Sequence, residues 1–194
     1  MKTFPKARID ALTDGIFAFA MTLLVLEIRL PPDAAVNDGA ELMARLQALV
    51  PEYVVYIVSF FVLAAQWRIE IGLRRTEEVS QEAVSWSILY LFFITSVPFS
   101  SGVVGRHGDL PPAVWLYAAN MIAVAAVSLR LRALEVVPEH RAQARASIIG
   151  TSVFIASALL SVALSFIEPR HAMYAYFLNF IMVPLSRWRR GAQT

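Results

Sequence analysis

Four residues of one apolar stretch have the types and the spacing to act on a passing ion. Phe19, Leu23 and Leu26 recur at intervals of four and three residues, so they share one face of a helix over roughly 10 Å. A pore constriction lined by apolar side chains can hold back ions because it excludes water. A hydroxyl oxygen, in contrast, can replace part of the water shell of a cation. Thr22 supplies the only side-chain oxygen in residues 15–26. Ordinary helix packing would use the same residues, so spacing alone leaves both interpretations open.

A second group of polar residues is predicted to meet at one end of the same helix. Asp14 lies two turns inside the first segment, where an unpaired carboxylate is costly, so it needs partners. The ends of neighbouring segments lie at the same depth, and Gln66 and Glu70, one turn apart, share a face. We therefore predict a structural polar cluster that joins the first three segments: Arg8, Thr13, Asp14, Gln66, Trp67, Glu70 and Ser87. The alternative is that these side chains reach the membrane interface separately.

The composition places the chain in a membrane. Of its 194 residues 58% are hydrophobic and only 16% are charged, whereas soluble domains carry about 25% charged residues. Cysteine is absent, which excludes disulfides and thiolate chemistry, and the three His residues are dispersed along the chain. No nucleophile–base pair is visible, so we predict neither an enzyme nor a cofactor. The basic residues cluster at segment ends, which is typical of membrane topology rather than of nucleic-acid binding.

Apolar segments separated by short connections predict an all-α integral membrane protein, with a single six-helix transmembrane domain over residues 1–194. Pro31 and Pro32 end the first segment, and Pro98 lies inside the third. The predicted helices cover residues 9–30, 51–72, 83–104, 112–131, 146–167 and 170–187. The first connection carries an amphipathic patch at helical spacing, which we expect in the membrane interface: Leu42, Met43, Leu46 and Leu49.

The distribution of basic residues predicts the orientation in the membrane. With the amino terminus in the cytoplasm, 13 of the 17 Lys and Arg residues lie in inside segments. The four outside are Arg29, Arg45, Arg106 and Arg170. Because cytoplasmic segments of membrane proteins are enriched in Lys and Arg, we predict a multi-pass membrane protein with both termini in the cytoplasm.

The first segment also resembles a known family. Arg8, Leu12, Thr13 and Asp14 are similar to the R-x-x-x-F-S-D signature of the transmembrane protein 175 potassium-channel family, in its six-helix prokaryotic form. Residues 17–28 continue with F-A-F-A-M-T-L-L-V-L-E-I, against a family pattern like F-A-I-A-x-T-L-L-x-L-x-I. Further matches lie along the chain at Ser59, Phe60, Trp67, Pro98, Phe99 and Tyr117, and the resemblance is loose from the fourth helix onward.

The chain departs from the family pattern inside the polar cluster. Leu12 and Thr13 replace the aromatic residue and the serine of the signature, and Ser87 replaces an asparagine early in the third helix. The histidine that usually follows the second-helix tryptophan is missing, and Glu70 stands close to its place. Glu70 could pair with Arg8 or stay protonated near the signature aspartate, so the hydrogen-bond pattern of the family is not carried over.

The resemblance implies a weakly selective potassium channel that assembles as a homotetramer, with four copies of the first helix around a central pore. It implies no re-entrant filter loop, and no T-V-G-Y-G sequence occurs in the chain. In that arrangement Phe19, Leu23 and Leu26 form the constriction and gate, and Thr22 contributes to ion selectivity. Potassium would be the permeant ion, without a resident metal or cofactor. The partners would be the lipid bilayer and other copies of the chain, not nucleic acid.

A secondary transporter or proton-coupled permease of the inner membrane is the main alternative. Transporters commonly show internal repeats and mid-membrane polar sites on broken helices. Pro98 and Pro184 interrupt apolar segments, but the chain shows no internal repeat. A channel passes ions down a gradient without a counter-substrate, and a membrane scaffold passes none, so flux measurements separate the three classes.

Overall fold

The computed structural model describes residues 3–30, 38–72, 78–135 and 141–179, and these residues are mostly helical. The helices are α1 (Lys6–Leu26), α2 (Gly39–Ala48), α3 (Val50–Gly72), α4 (Gln81–Thr95), α5 (Val97–His107), α6 (Pro111–Glu135) and α7 (Arg141–Ser165), followed by a 3₁₀ helix (Pro169–Phe177). Two short strands, β1 (Thr3–Pro5) and β2 (Glu78–Ser80), form a two-stranded sheet.

Helix α1 begins and ends earlier than the sequence predicts. It covers Lys6–Leu26 rather than residues 9–30. Residues 27 and 28 still bond to carbonyls three residues back, so the helix tightens before the chain leaves it. Strand β1 pairs antiparallel with β2, with Phe4 opposite Val79. This sheet, which the sequence analysis did not predict, ties the start of α1 to the start of α4.

The amphipathic patch after the first span is a helix, as predicted. The Asp38 side chain accepts a hydrogen bond from the Glu41 backbone N–H at 2.7 Å and so caps α2. Leu49 follows α2 directly and is buried, and α3 starts at Val50. The two helices therefore meet without a linker, and the predicted second span is confirmed as α3.

The third predicted span is one apolar run but two helices. Helix α4 ends just before Ser96 and α5 begins just after it. Pro98 has no backbone N–H to donate to the preceding turn, and the Ser96 hydroxyl donates to the Phe92 carbonyl at 2.9 Å. Both effects interrupt the helix at this point. Together α4 and α5 cover Gln81–His107, which is long enough to cross a membrane.

The prediction of an α-helix over residues 170–187 is wrong for its first half. Residues Pro169–Phe177 form a 3₁₀ helix packed against α7, and the predicted segment beyond residue 179 lies outside the described residues. Ala172 and Ala175 are both buried and lie three residues apart. This spacing matches the three residues per turn of a 3₁₀ helix, so both small side chains face the core.

The core lies between the helices that cross the apolar layer, and Phe17, Tyr90 and Tyr117 are among its largest fully buried side chains. Within the described residues, four spans are long and apolar enough to cross a membrane: Lys6–Leu26, Val50–Ile71, Gln81–His107 and Pro111–Leu134. Helix α7 adds a shorter apolar part, Gly150–Ser165. The chain is therefore a multi-pass helical membrane protein. Six spans in a single domain stay a prediction.

Candidate functional site

Helix α1 is held to the protein by one face. Phe17, Ala20 and Leu24 are buried, and the helix contacts α3, α4 and α5. The ring centroids of Phe17 and Tyr90 are 6.1 Å apart. Spacings of three and four residues place the three buried side chains on one stripe. Because lipid is as apolar as these side chains, close packing rather than water exclusion holds this face in a membrane.

The opposite face of α1 is uncovered in the single chain. Phe19 is 62% exposed and Leu26 is 53% exposed, and Thr22 between them is also exposed. Leu23, at the edge of this face, is half-buried. The four predicted pore residues therefore lie on or beside the face that the rest of the described chain leaves free. A pore, a subunit contact and a lipid contact all require this placement.

The Thr22 hydroxyl is bonded to the backbone of its own helix. Its Oγ1 donates a hydrogen bond to the Phe19 carbonyl at 2.8 Å, one turn back on the same helix. A hydroxyl has one hydrogen and two lone pairs, so this bond leaves acceptor sites toward the uncovered face. The described residues contain no group of three His, Cys, Asp or Glu side chains that could hold a metal ion. Thr22 carries the only side-chain oxygen of residues 15–26, and its role in ion selectivity stays a prediction.

One contact of the predicted polar cluster is present near the start of α1. The Trp67 indole N–H donates to Asp14 Oδ1 at 2.8 Å and joins α1 to α3. Asp14 is exposed in the single chain, and its partner is a neutral donor rather than a basic residue. Lys6, at the start of the helix, forms an ion pair with Asp10. The indole N–H therefore holds the Asp14 carboxylate at the contact between the two helices.

The other predicted members of the polar cluster differ in their burial and in their hydrogen bonds. Thr13 donates to a carbonyl of its own helix at 2.8 Å. Gln66 and Ser87 are buried, and no described residue bonds to the Gln66 Oε1 atom. Arg8 is exposed and makes no hydrogen bond or ion pair within the described part of the chain. Glu70 is half-buried. The cluster as a whole stays a prediction, of which one contact is observed.

At the far end of α1 lies an ion pair that the sequence analysis missed. Both Nη atoms of Arg106 on α5 donate to Glu27 Oε2 at 3.1 Å, and Nη1 also donates to the Glu27 carbonyl at 3.2 Å. The carboxylate lies against Gly102, where an added Cβ would collide with Oε2. Gly102 and Arg106 are one turn apart and share a face of α5. The Gly-x-x-x-Arg spacing and an acidic residue at the end of an apolar run are the signals that point to this contact.

Buried hydroxyls join α3, α5 and α6. Ser59 bonds to Ser101 at 2.7 Å and to Tyr117 at 2.9 Å. Asn120 donates to the Ser100 hydroxyl at 3.1 Å, which joins α6 directly to α5. Paired in this way, polar side chains lie inside an apolar bundle without the cost of an unpaired group. The family resemblance singled out Ser59 and Tyr117, although it gave no reason to expect their contact.

Residues 8–98 match the sequence profile of a family described as "Endosomal/lysosomal potassium channel TMEM175". A potassium channel of Chamaesiphon minutus is 34% identical over 131 residues, which are 64% of this chain and 63% of that protein. A potassium channel of a Chryseobacterium species is 27% identical over 118 residues, which are 60% of this chain and 58% of that protein. The chain thus spans less than two thirds of the length of these curated relatives.

One solved structure is similar over nearly the whole chain. The crystal structure of a lysosomal potassium-selective channel TMEM175 homolog from Chamaesiphon minutus has a TM-score of 0.75 and 29% sequence identity, covering 93% of this chain and 96% of that one. The similarity therefore extends past the profile match to the helices after Pro98. The uncovered face of α1 and the contact between Asp14 and Trp67 both lie inside the matched residues 8–98.

Proposed function

We propose that the chain, whose residues 8–98 match the TMEM175 family profile, is a member of that family and forms a potassium-permeable channel whose pore is lined by α1. The observation that carries the proposal is the uncovered face of α1, on which Phe19, Thr22 and Leu26 are exposed beside half-buried Leu23. The other face of the same helix packs against three helices. Helix α1 thus presents a continuous surface of apolar side chains with one hydroxyl, which is the composition of a hydrophobic gate.

One chain supplies one such helix, so the proposed pore needs several copies. A ring of four α1 helices would turn the uncovered faces toward a common axis and cover their flanks with neighbouring subunits. Closed rotational symmetry is the usual arrangement of identical subunits. We propose a homotetramer in a prokaryotic inner membrane, with both termini in the cytoplasm. Its partners are the lipid bilayer and other copies of the chain, and it has neither a catalytic activity nor a resident cofactor.

The four pore residues would have two different roles. Rings of Phe19, Leu23 and Leu26 give no ligand to an ion that has lost water, so they raise the barrier to permeation and form the gate. Thr22 offers oxygen lone pairs next to these rings. Because potassium loses its water at a lower free-energy cost than sodium, a weak ring of hydroxyls favours potassium modestly. No re-entrant filter loop is needed for this modest preference.

Ion flux through the purified protein in liposomes tests the proposal. Wild-type protein should pass potassium faster than sodium down a gradient without a counter-substrate, which a transporter would require. Leu23→Ser and Leu26→Ser should each raise the flux, because water can then wet the constriction. A barrier lower by about 1.4 kcal/mol would raise it about tenfold. Thr22→Val should reduce the preference for potassium.

The matched control is Leu159→Ser, since Leu159 is a leucine on α7 with an exposed fraction of 57%, close to that of Leu26. Its flux should equal that of the wild type. Unchanged flux in both α1 serine variants, together with unchanged selectivity in Thr22→Val, would show that α1 does not line the pore. Absence of flux through well-folded wild-type protein would indicate a non-conducting scaffold.

A further inference from the structure

We propose that a cavity at one end of the helix bundle binds the phosphate head group of a phospholipid. The cavity has a volume of about 450 Å³ and lies between the start of α3, the end of α5 and the 3₁₀ helix. Sites for small molecules typically measure about 300–1,000 Å³. One membrane span begins at Val50 and another ends at His107, so the cavity lies where two spans reach the interface. Phospholipid head groups occupy this depth of a bilayer.

Basic side chains line one part of the cavity. Arg106, Arg170 and His171 all contribute to it. Arg170 is exposed and has no hydrogen bond or ion pair among the described residues. Arg106 is paired with Glu27, yet its side chain is 44% exposed. The planar guanidinium group matches two phosphate oxygens at once. Asp109 also lines the cavity, and Glu27 already balances the charge of Arg106, so Arg170 is the side chain whose charge is open to a phosphate.

The remaining wall of the cavity is apolar and suits an acyl chain. Its apolar lining residues include Val50, Val54, Val104 and Met173. Tyr174 lies at the same site and stacks on His171, with ring centroids 5.8 Å apart. Aromatic side chains of this kind are enriched where membrane proteins meet the head-group region. A free phosphate ion would use only the basic part, whereas a phospholipid would use both parts.

The inferred site is separate from the proposed pore but shares a residue with the end of α1. Arg106 lines the cavity and also binds Glu27, the residue that follows α1. An occupied site would therefore act on the end of α1 through one guanidinium group. Binding itself does not depend on conduction, so a failed binding test would leave the channel proposal standing, and the reverse also holds.

Native mass spectrometry of the detergent-purified full chain tests the inference with phosphatidylglycerol as the probe. Two matched probes separate the parts of the ligand: diacylglycerol with the same acyl chains lacks the phosphate, and inorganic phosphate lacks the chains. Phosphatidylglycerol should bind at least about tenfold more tightly than either probe, and Arg170→Gln should weaken its binding about tenfold. Val54→Trp should weaken it as well, because the larger side chain fills the apolar part.

Arg45→Gln is the control, because it removes one positive charge from a surface pair with Glu41 that lies outside the cavity. Its affinity for phosphatidylglycerol should equal that of the wild type. Wild-type affinity in both Arg170→Gln and Val54→Trp would overturn the inference, as would equal binding of diacylglycerol. Binding of inorganic phosphate as tight as that of the lipid would reduce the cavity to a simple anion site. Absence of lipid on the wild-type protein would overturn the inference as well.

Discussion

The two ends of α1 are attached to the rest of the protein by different kinds of contact. Near its start, Asp14 accepts one hydrogen bond from the neutral indole of Trp67. Just after its end, Glu27 binds the charged guanidinium of Arg106 and rests on Gly102. A hydrogen bond from a neutral donor responds little to salt, whereas an exposed ion pair is screened. The two attachments of the proposed pore helix can therefore be weakened independently.

Among substitutions at the two ends of α1, Asp14→Ala is expected to lower the stability of the protein most. The substitution leaves the Trp67 N–H without its acceptor, and a hydrogen bond to a charged group contributes about 1.5–3 kcal/mol. We expect the free energy of unfolding to fall by about that amount, seen as a lower Tm and loss of assembled protein in detergent. Asp14→Asn keeps an acceptor and should recover most of the loss. A wild-type Tm and normal assembly in Asp14→Ala would show that Asp14 only reaches toward the membrane interface.

A smaller effect is expected from Gly102→Ala at the other end of the helix. The added Cβ would displace the Glu27 carboxylate, which is the movable end of a flexible side chain, and so weaken its pairing with Arg106. Because partly exposed ion pairs contribute roughly 0.2–1 kcal/mol, the Tm should fall only slightly. Gly150→Ala is the matched control on α7, where a Cβ would meet nothing within 4 Å. Because alanine favours the helix more than glycine does, Gly150→Ala should raise the free energy of unfolding by up to about 1 kcal/mol.

If Gly102→Ala and Gly150→Ala changed the Tm by the same amount and in the same direction, the close contact between Gly102 and the Glu27 carboxylate would not contribute to stability. The pair of variants therefore separates the general effect of adding a methyl group to a helix from the specific effect on the Glu27 carboxylate.

The smallest expected effect is a difference in salt dependence between the two ends. Raising ionic strength from low to about 1 M shortens the screening length to about 3 Å, so the ion pair loses part of its attraction. The Tm difference between wild type and Glu27→Gln should shrink as salt is added. The corresponding difference for Asp14→Ala should stay nearly constant, because Trp67 carries no charge. Equal salt dependence in the two variants would contradict the distinction between the contacts.

Local features of the chain made most helix limits predictable. Proline acts within one turn, so the start of α3 beside Pro51 follows from the sequence. The third span was predicted as one helix, and the structure divides it at Ser96. Periodicity likewise predicted that Phe19, Leu23 and Leu26 share one face of α1, and the structure exposes Phe19 and Leu26 and leaves Leu23 half-buried. The two three-residue strands were not predictable, because each is too short to show an alternating pattern.

The sequence by itself determined that this protein spans a membrane, where its first helix lies, which face of that helix stays free, and which family it resembles. These properties depend on residues within a few turns of one another. The tertiary structure alone decided the partner at the far end of α1. Glu27 and Arg106 are 79 residues apart, and they meet because α5 follows a break at Ser96 and because Gly102 leaves room for a carboxylate. No local pattern encodes where α5 lies relative to α1, so only the packed helices could show that contact.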